Sequence, residues 1–182
     1  MKLFIASDIH GSAWYCERML EACAGEKADR MLLLGDILYH GPRNDLPQEY
    51  NPRQVAAMLN ERKNEILCVR GNCEAEVDQM MLAFPVLCEH LMFCADGRTL
   101  FATHGHHYHA GNMPPLQPGE ILVHGHTHRI CCEQAGGNYV LNPGSVSLPK
   151  DTEIHSYLLM EDGVFLWKDL DGTLLRRWSP ET

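Results

Sequence analysis

The stretch Lys2-Leu3-Phe4-Ile5-Ala6-Ser7-Asp8-Ile9-His10-Gly11 constrains this chain more than any other. Its apolar run shows no alternation, which suits a strand covered on both faces. Such strands deliver their exit residues to the carboxyl edge of a parallel sheet, where α/β proteins place ligands. A carboxylate and an imidazole leave the strand two residues apart, and Gly11 permits the sharp exit. Alone, the pair would equally suit a helix cap and a surface histidine. Its weight comes from recurrence: an apolar run ending in metal-competent polar residues and a glycine returns at 31–36, 66–72, 100–105 and 121–128.

The strand ends together carry Asp8, His10, Asp36, Asn72, His104, His126 and His128. This oxygen and nitrogen set without thiolate suits Mn²⁺, Fe, Zn²⁺, Co²⁺ or Ni²⁺ rather than a structural cysteine-zinc site. There are too many donors for one ion. Two ions sharing Asp36 as a bridge, roughly 3.5 to 4 Å apart, fit better. Histidine is concentrated accordingly, with seven of the eleven lying between residues 104 and 128. His106, His107, His109 and His124 read as supporting or exposed, and His90 and His155 as structural. Taken singly, Asp8, Asp36 and Asn72 would pass for turn or cap residues after strands.

Ser12 is expected to cap a helix reaching about Ala24 that buries Trp14, Met19, Leu20 and Cys23. A strand at 31–36, a long loop over 39–52, a helix from Pro52 to about Lys63 and a strand at 66–69 come next. Residues 76–84 read as a helix stopped by Pro85. Short runs bounded by turn residues then predict strands at 86–93, 99–103, 121–123, 139–141, 156–160, 164–170 and 173–178. The last three are joined by Glu161-Asp162-Gly163 and Asp171-Gly172. Two sheets packed face to face inside helices would bury all these runs. The expectation is one α/β domain over residues 1–182, a four-layer α-β-β-α sandwich of two mixed sheets.

Apolar content of 45% over 182 residues supports a sizeable core. No run approaches the roughly 18 to 20 residues of a membrane span, and the run before Asp8 is short for a secretory signal. A cytoplasmic protein without a membrane partner is expected, and its eight cysteines, with no C-x-x-C pair, read as free thiols in a reducing compartment. The net charge of −9, from 24 acidic and 15 basic residues, disfavours stable nucleic-acid binding, which draws on Lys and Arg at phosphates. A phosphorylated substrate would be a small one. Whether the chain forms a homo-oligomer is left open.

Asp8-x-His10, Gly35-Asp36, Gly71-Asn72, His104-Gly105 and Gly125-His126-x-His128 resemble, in order and spacing, the calcineurin-like metallophosphoesterase superfamily. The resemblance spans nearly the whole chain. Gly35-Asp36-x-x-x-His40-Gly41-Pro42-Arg43-Asn44, Gly71-Asn72-Cys73 and Asn142-Pro143-Gly144-Ser145 resemble in particular its small bacterial YfcE-like phosphodiesterases. It implies the metallo-dependent phosphatase fold. It also implies that Asp8, His10, Asp36 and His128 hold one metal while Asp36, Asn72, His104 and His126 hold the other. Mn²⁺ is the expected ion, with Zn²⁺, Fe, Co²⁺ or Ni²⁺ as alternatives. The implied chemistry is phosphodiester hydrolysis by a hydroxide bridging the two ions.

Many relatives carry histidine directly after Gly-Asn, where it assists the leaving group, whereas this chain has Cys73. A thiol near pKa 8.5 is a poor substitute, so His40 and His106 could supply that role from neighbouring loops, with His40 held as the candidate, and Arg43 is a candidate phosphate ligand. The leading expectation is thus a phosphodiesterase for a small phosphodiester, with Asp36, Asn72, Cys73 and His40 as catalytic candidates. The alternatives are a phosphomonoesterase, nucleotidase or protein phosphatase of the same fold, or a non-catalytic protein-binding scaffold.

Overall fold

Alternate residues of the first strand feed two different cores, as a strand covered on both faces must. The computed structural model describes residues 1–180; residues 181 and 182, included in the expected single domain, lie outside the described residues. In chain order the elements are β1 (Leu3–Ala6), α1 (Ala13–Glu26), β2 (Arg30–Leu33), α2 (Pro52–Glu61), β3 (Ile66–Cys68), α3 (Glu76–Met81), β4 (His90–Ala95), β5 (Arg98–Thr103), β6 (Ile121–Val123), β7 (Ile130–Ala135), β8 (Asn138–Pro143), β9 (Ser156–Glu161), β10 (Val164–Asp169) and β11 (Leu174–Trp178).

Six strands form one mixed sheet in the order β11-β10-β9-β1-β2-β3, and five form the other in the order β4-β5-β6-β8-β7. In the first sheet β1, β2 and β3 are parallel and β9 runs antiparallel to β1. In the second, β5, β6 and β8 are parallel, with antiparallel edge strands β4 and β7. Leu3 and Ile5 of β1 join Leu100, Ala102, Ile121, Val123 and Leu141 in the core between the sheets. Phe4 and Ala6 pack outward against Cys16, Met19 and Cys23 of α1 and Val55 and Leu59 of α2. Each fully buried Leu, Ile, Val, Phe or Met among them contributes about 1.5–3 kcal/mol.

Both helices start where expected. Ser12 accepts from Tyr15 N, and Asn51 accepts from Gln54 N ahead of the proline. Trp14 departs from expectation: it is 37% exposed, and Cys16 occupies the inner stripe instead. The outer face of the second sheet differs too. Phe101, Leu122 and Val140 are covered by Tyr108, Ala110, Met113 and Leu116 of the loop after β5, so a loop supplies that layer.

Candidate metal centre

The parallel strands of both sheets end on one edge, and their exit loops are bonded to one another. Asp8 N donates to Gly35 O at 3.1 Å, His10 N to Asp36 O at 2.9 Å and Gly11 N to Ile37 O at 2.8 Å, tying the loop after β1 to the loop after β2. Gly125 N donates to His104 O at 2.8 Å, tying the loops after β5 and β6. This zippering forces Asp8, His10, Asp36, His126 and His128 into left-handed backbone, with φ between 50° and 65°. Each such residue costs on the order of 1–2 kcal/mol, a strain that persists where surrounding structure over-determines it.

The donor atoms converge in two groups that meet at Asp36. In one, His10 Nε2 lies 3.6 Å from Asp8 Oδ1, 3.7 Å from Asp36 Oδ2 and 3.2 Å from His128 Nε2, which is itself 3.3 Å from Asp8 Oδ1. In the other, His104 Nε2 lies 3.5 Å from Asp36 Oδ2, 3.1 Å from Asn72 Oδ1 and 3.2 Å from His126 Nδ1. The far nitrogens of three rings are committed elsewhere: His10 Nδ1 donates to Tyr39 O at 2.8 Å, His104 Nδ1 to Leu34 O at 2.7 Å and His128 Nδ1 to Leu148 O at 2.5 Å. A backbone carbonyl on Nδ1–H fixes the tautomer, so in each neutral ring Nε2 presents a lone pair inward.

These residues fit divalent ions. The facing Nε2 lone pairs of His10 and His128 can be reconciled only by a proton or a cation between them. Asp8 Oδ1 is buried without a hydrogen-bond partner, while Oδ2 accepts from His126 N at 3.0 Å. A buried carboxylate oxygen left unpaired is costly, and a metal would satisfy it. Burial opposes ionisation of Asp8 and Asp36, but the neighbouring imidazoles of His10 and His128 hold Asp8 well below the usual range, and His104 lowers Asp36. Burial alone would lower His104, yet its bond to Asp36 and the charges of Asp8 and Asp36 push it up to about 9. Burial and then the charge of His104 push His126 down to about 4.

A cavity of about 370 Å³ opens over Asp36, Asn72, His126 and His128, with Arg43, Arg129 and Lys150 on its rim. Arg43 therefore lies where a phosphate ligand was expected. Cys73 lines the same cavity, its N–H donating to Asp36 Oδ1 at 2.9 Å. Burial and then the charge of Asp36 push its thiol well up. His40 is not brought to the cavity. Its ring packs edge-on between Tyr39 and Tyr50, with centroids 4.8 and 5.2 Å away and Nδ1 buried without a hydrogen-bond partner, and its carbonyl accepts from Asn44 Nδ2 at 2.8 Å. His90 and His155 stack on Phe101 and Tyr15.

Three further groups hold these loops in place. Glu74, 3% exposed, accepts from the N–H groups of Asp36, Ile37 and Gly71, clamping the loops after β2 and β3 together. Ser145 and Ser147 donate through Oγ to Asp8 O at 2.9 and 3.0 Å. Asn142 donates to Gly125 O at 2.7 Å and holds the loop after β6. A carboxylate two residues past Gly71-Asn72 is the one signal for Glu74, and Asn142 and Ser145 fall in the Asn142-Pro143-Gly144-Ser145 motif; the Ser147 hydroxyl carries no sequence pattern.

Comparison with known proteins places these observations. A family model described as the calcineurin-like phosphoesterase superfamily domain matches residues 1–162. The Escherichia coli K12 phosphodiesterase YfcE is 46% identical over 164 residues, covering 90% of this chain and 89% of that one. The solved structure of YfcE, a phosphoesterase from E. coli, superposes with a TM-score of 0.95 at 42% identity over all of both chains. Vacuolar Protein Sorting 29 from Cryptosporidium parvum, at 19% identity and a TM-score of 0.63 over 98% of this chain and 97% of that one, shares the fold alone.

Proposed function

The chain belongs to the calcineurin-like phosphoesterase superfamily, and from that membership we propose that it is a metal-dependent phosphodiesterase acting on a small phosphodiester. The observation that carries this reading is the sharing of Asp36 Oδ2 by two donor groups, with His10 Nε2 at 3.7 Å on one side and His104 Nε2 at 3.5 Å on the other. Asp8, His10, Asp36 and His128 would hold one ion and Asp36, Asn72, His104 and His126 the other, with Mn²⁺ the expected occupant. Bound there, two dications supply a hydroxide nucleophile near neutral pH and offset charge on the phosphoryl oxygens.

The chain's own residues do the rest. Carbonyl-anchored rings keep their lone pairs on the donor points, and Glu74 holds the Asp36 and Asn72 loops in register. Arg43, Arg129 and Lys150 surround the cavity mouth with positive charge that orients a phosphate. Arg129 is itself steadied by Asp151. Cys73, a thiol where many relatives carry histidine, offers little to a poor leaving group, which favours diesters with stable leaving groups. His40, outside the cavity, is given no part. Eight free cysteines suit a reducing compartment, so we place the enzyme in the cytoplasm; among the described residues no helix is long and apolar enough to cross a membrane.

A scaffold role is the rival from another class, because the fold is shared with a sorting protein. The intact donor set, held in strained backbone, argues for catalysis. The test is turnover of bis(4-nitrophenyl) phosphate against 4-nitrophenyl phosphate by Mn²⁺-loaded protein. The diester should be the better substrate by kcat/KM. Preference for the monoester would move the assignment to a phosphomonoesterase, and inertness toward both would favour the scaffold.

A further inference from the structure

Outside the centre just described, a second group of metal-competent side chains converges on the far side of the loop after β5. Glu89 stands one residue ahead of β4, and His106 and His107 lie just past the β5 exit; one donor atom from each lies within 4.8 Å of the other two. That limit also encloses Asp8, His10 and His128. We infer that Glu89, His106 and His107 form a further divalent-cation site, for an ion of the zinc type, separate from the two ions at Asp36. The set of two imidazoles and one carboxylate is that of open zinc sites, which keep a fourth position for water or another ligand.

Three further observations support a built site. His106 Nδ1 is buried without a hydrogen-bond partner, and an imidazole nitrogen withdrawn from water with nothing to bond is satisfied by ligation or by what ligation draws in. The backbone under the donors is fixed: Thr103 Oγ1 donates to Glu89 O at 3.2 Å, and Asn112 Nδ2 donates to His107 O at 2.8 Å. The three side chains line a cavity of about 730 Å³, open enough for an ion to enter with its remaining waters. One neighbour works against the ion. Arg70 Nη1 donates to Glu89 Oε1 at 3.0 Å, so the guanidinium competes for the carboxylate. The outer site should therefore fill after the inner one. It would also tether the loop whose His106 ring lies 5.5 Å from that of His104.

Equilibrium dialysis of chelator-stripped protein against Zn²⁺, with metal analysis afterwards, tests this. His107→Ala should hold one ion fewer per chain than the wild type. The readout is that difference, so it stands whatever number of ions the inner centre holds and whether or not the enzyme proposal is right. Glu89→Ala, at an exposed position, should lose the same ion and replaces the histidine variant if that one misfolds. Arg70→Gln should shift zinc uptake at this site to lower free metal. Equal zinc in the wild type and both ligand variants overturns the site, and so does an Arg70→Gln variant that binds the ion more weakly.

Discussion

Glu74→Gln probes how the loops after β2 and β3 are kept in register. The buried carboxylate accepts from Asp36 N at 2.8 Å and Gly71 N at 2.5 Å through Oε2, and from Ile37 N at 2.7 Å through Oε1. An amide that places its oxygen at the Oε2 position turns an NH₂ toward Ile37 N. A buried donor facing a donor costs about 1–3 kcal/mol. Ionisation acts in the opposite sense, because burial and then the charge of Asp36 push Glu74 up to about 7, from an ordinary 4.5. Between those values the unfolded chain has released its proton while the folded chain retains it, so the wild type loses stability as pH rises. At about 1.4 kcal/mol per pH unit the loss is roughly 3 kcal/mol, and the glutamine variant lacks it. The two effects are of similar size, so pH decides the sign of the difference. In metal-free protein the wild type should be the more stable at pH 5, and the gap should close or reverse by pH 7.5. Urea unfolding monitored by circular dichroism, with chelator present across this range, measures it. A difference that is flat, or that grows with pH, would refute the raised carboxyl pKa, and a glutamine variant as stable as the wild type at pH 5 would refute the clamp.

His104 in stripped protein is held up to about 9, chiefly by Asp36 against the effect of burial; its contribution to stability is present below about 6.5 and is lost as pH rises through 9. An entering metal must displace that proton, so Mn²⁺ affinity in a competition titration should rise between those pH values, by up to about tenfold per unit, and a flat profile would contradict this. Gly125→Ala puts a methyl group into collision with Ser7 Oγ and 2.8 Å from Asp8 Oδ2, so the loop must shift; a loss of about 1–3 kcal/mol and weaker metal retention are expected, and an unchanged melting temperature argues otherwise. Cys73→Ser should keep bis(4-nitrophenyl) phosphate turnover within about tenfold, whereas a fall of roughly 10²–10⁴ would mark the thiol as a working acid.

Sequence is legible where residues act through pattern. β1, β2 and β3 can be read because strands covered on both faces are continuous apolar runs, and their exit residues can be collected without knowing the topology. β7 cannot. It begins two residues after His128, reads as a continuation of that motif, and is signalled only by the Gly136-Gly137 turn joining it to β8. The strand expected at 86–93 begins only at His90, because Val86 N bonds the Gln79 side chain and Cys88 O bonds Arg70 N instead of a sheet partner. The helix expected to reach Phe84 stops at Met81, where Asn60 bonds Met81 O and Ala83 N. Spacing puts His40 near the chemistry, but ring packing against two tyrosines sets its direction, and spacing carries no information about that. Glu74 and Ser147 serve backbone groups brought close by folding, so their roles are invisible until the loops are in place.

Hydrolysis of bis(4-nitrophenyl) phosphate by chelator-stripped protein, then by the same sample given Mn²⁺, with Asp36→Asn in parallel, addresses the shared carboxylate directly. Turnover should return only with Mn²⁺ and fall by about a hundredfold or more in Asp36→Asn, since an amide cannot supply the bridging charge. Turnover by stripped protein, or undiminished turnover in the variant, would contradict a reaction built around Asp36.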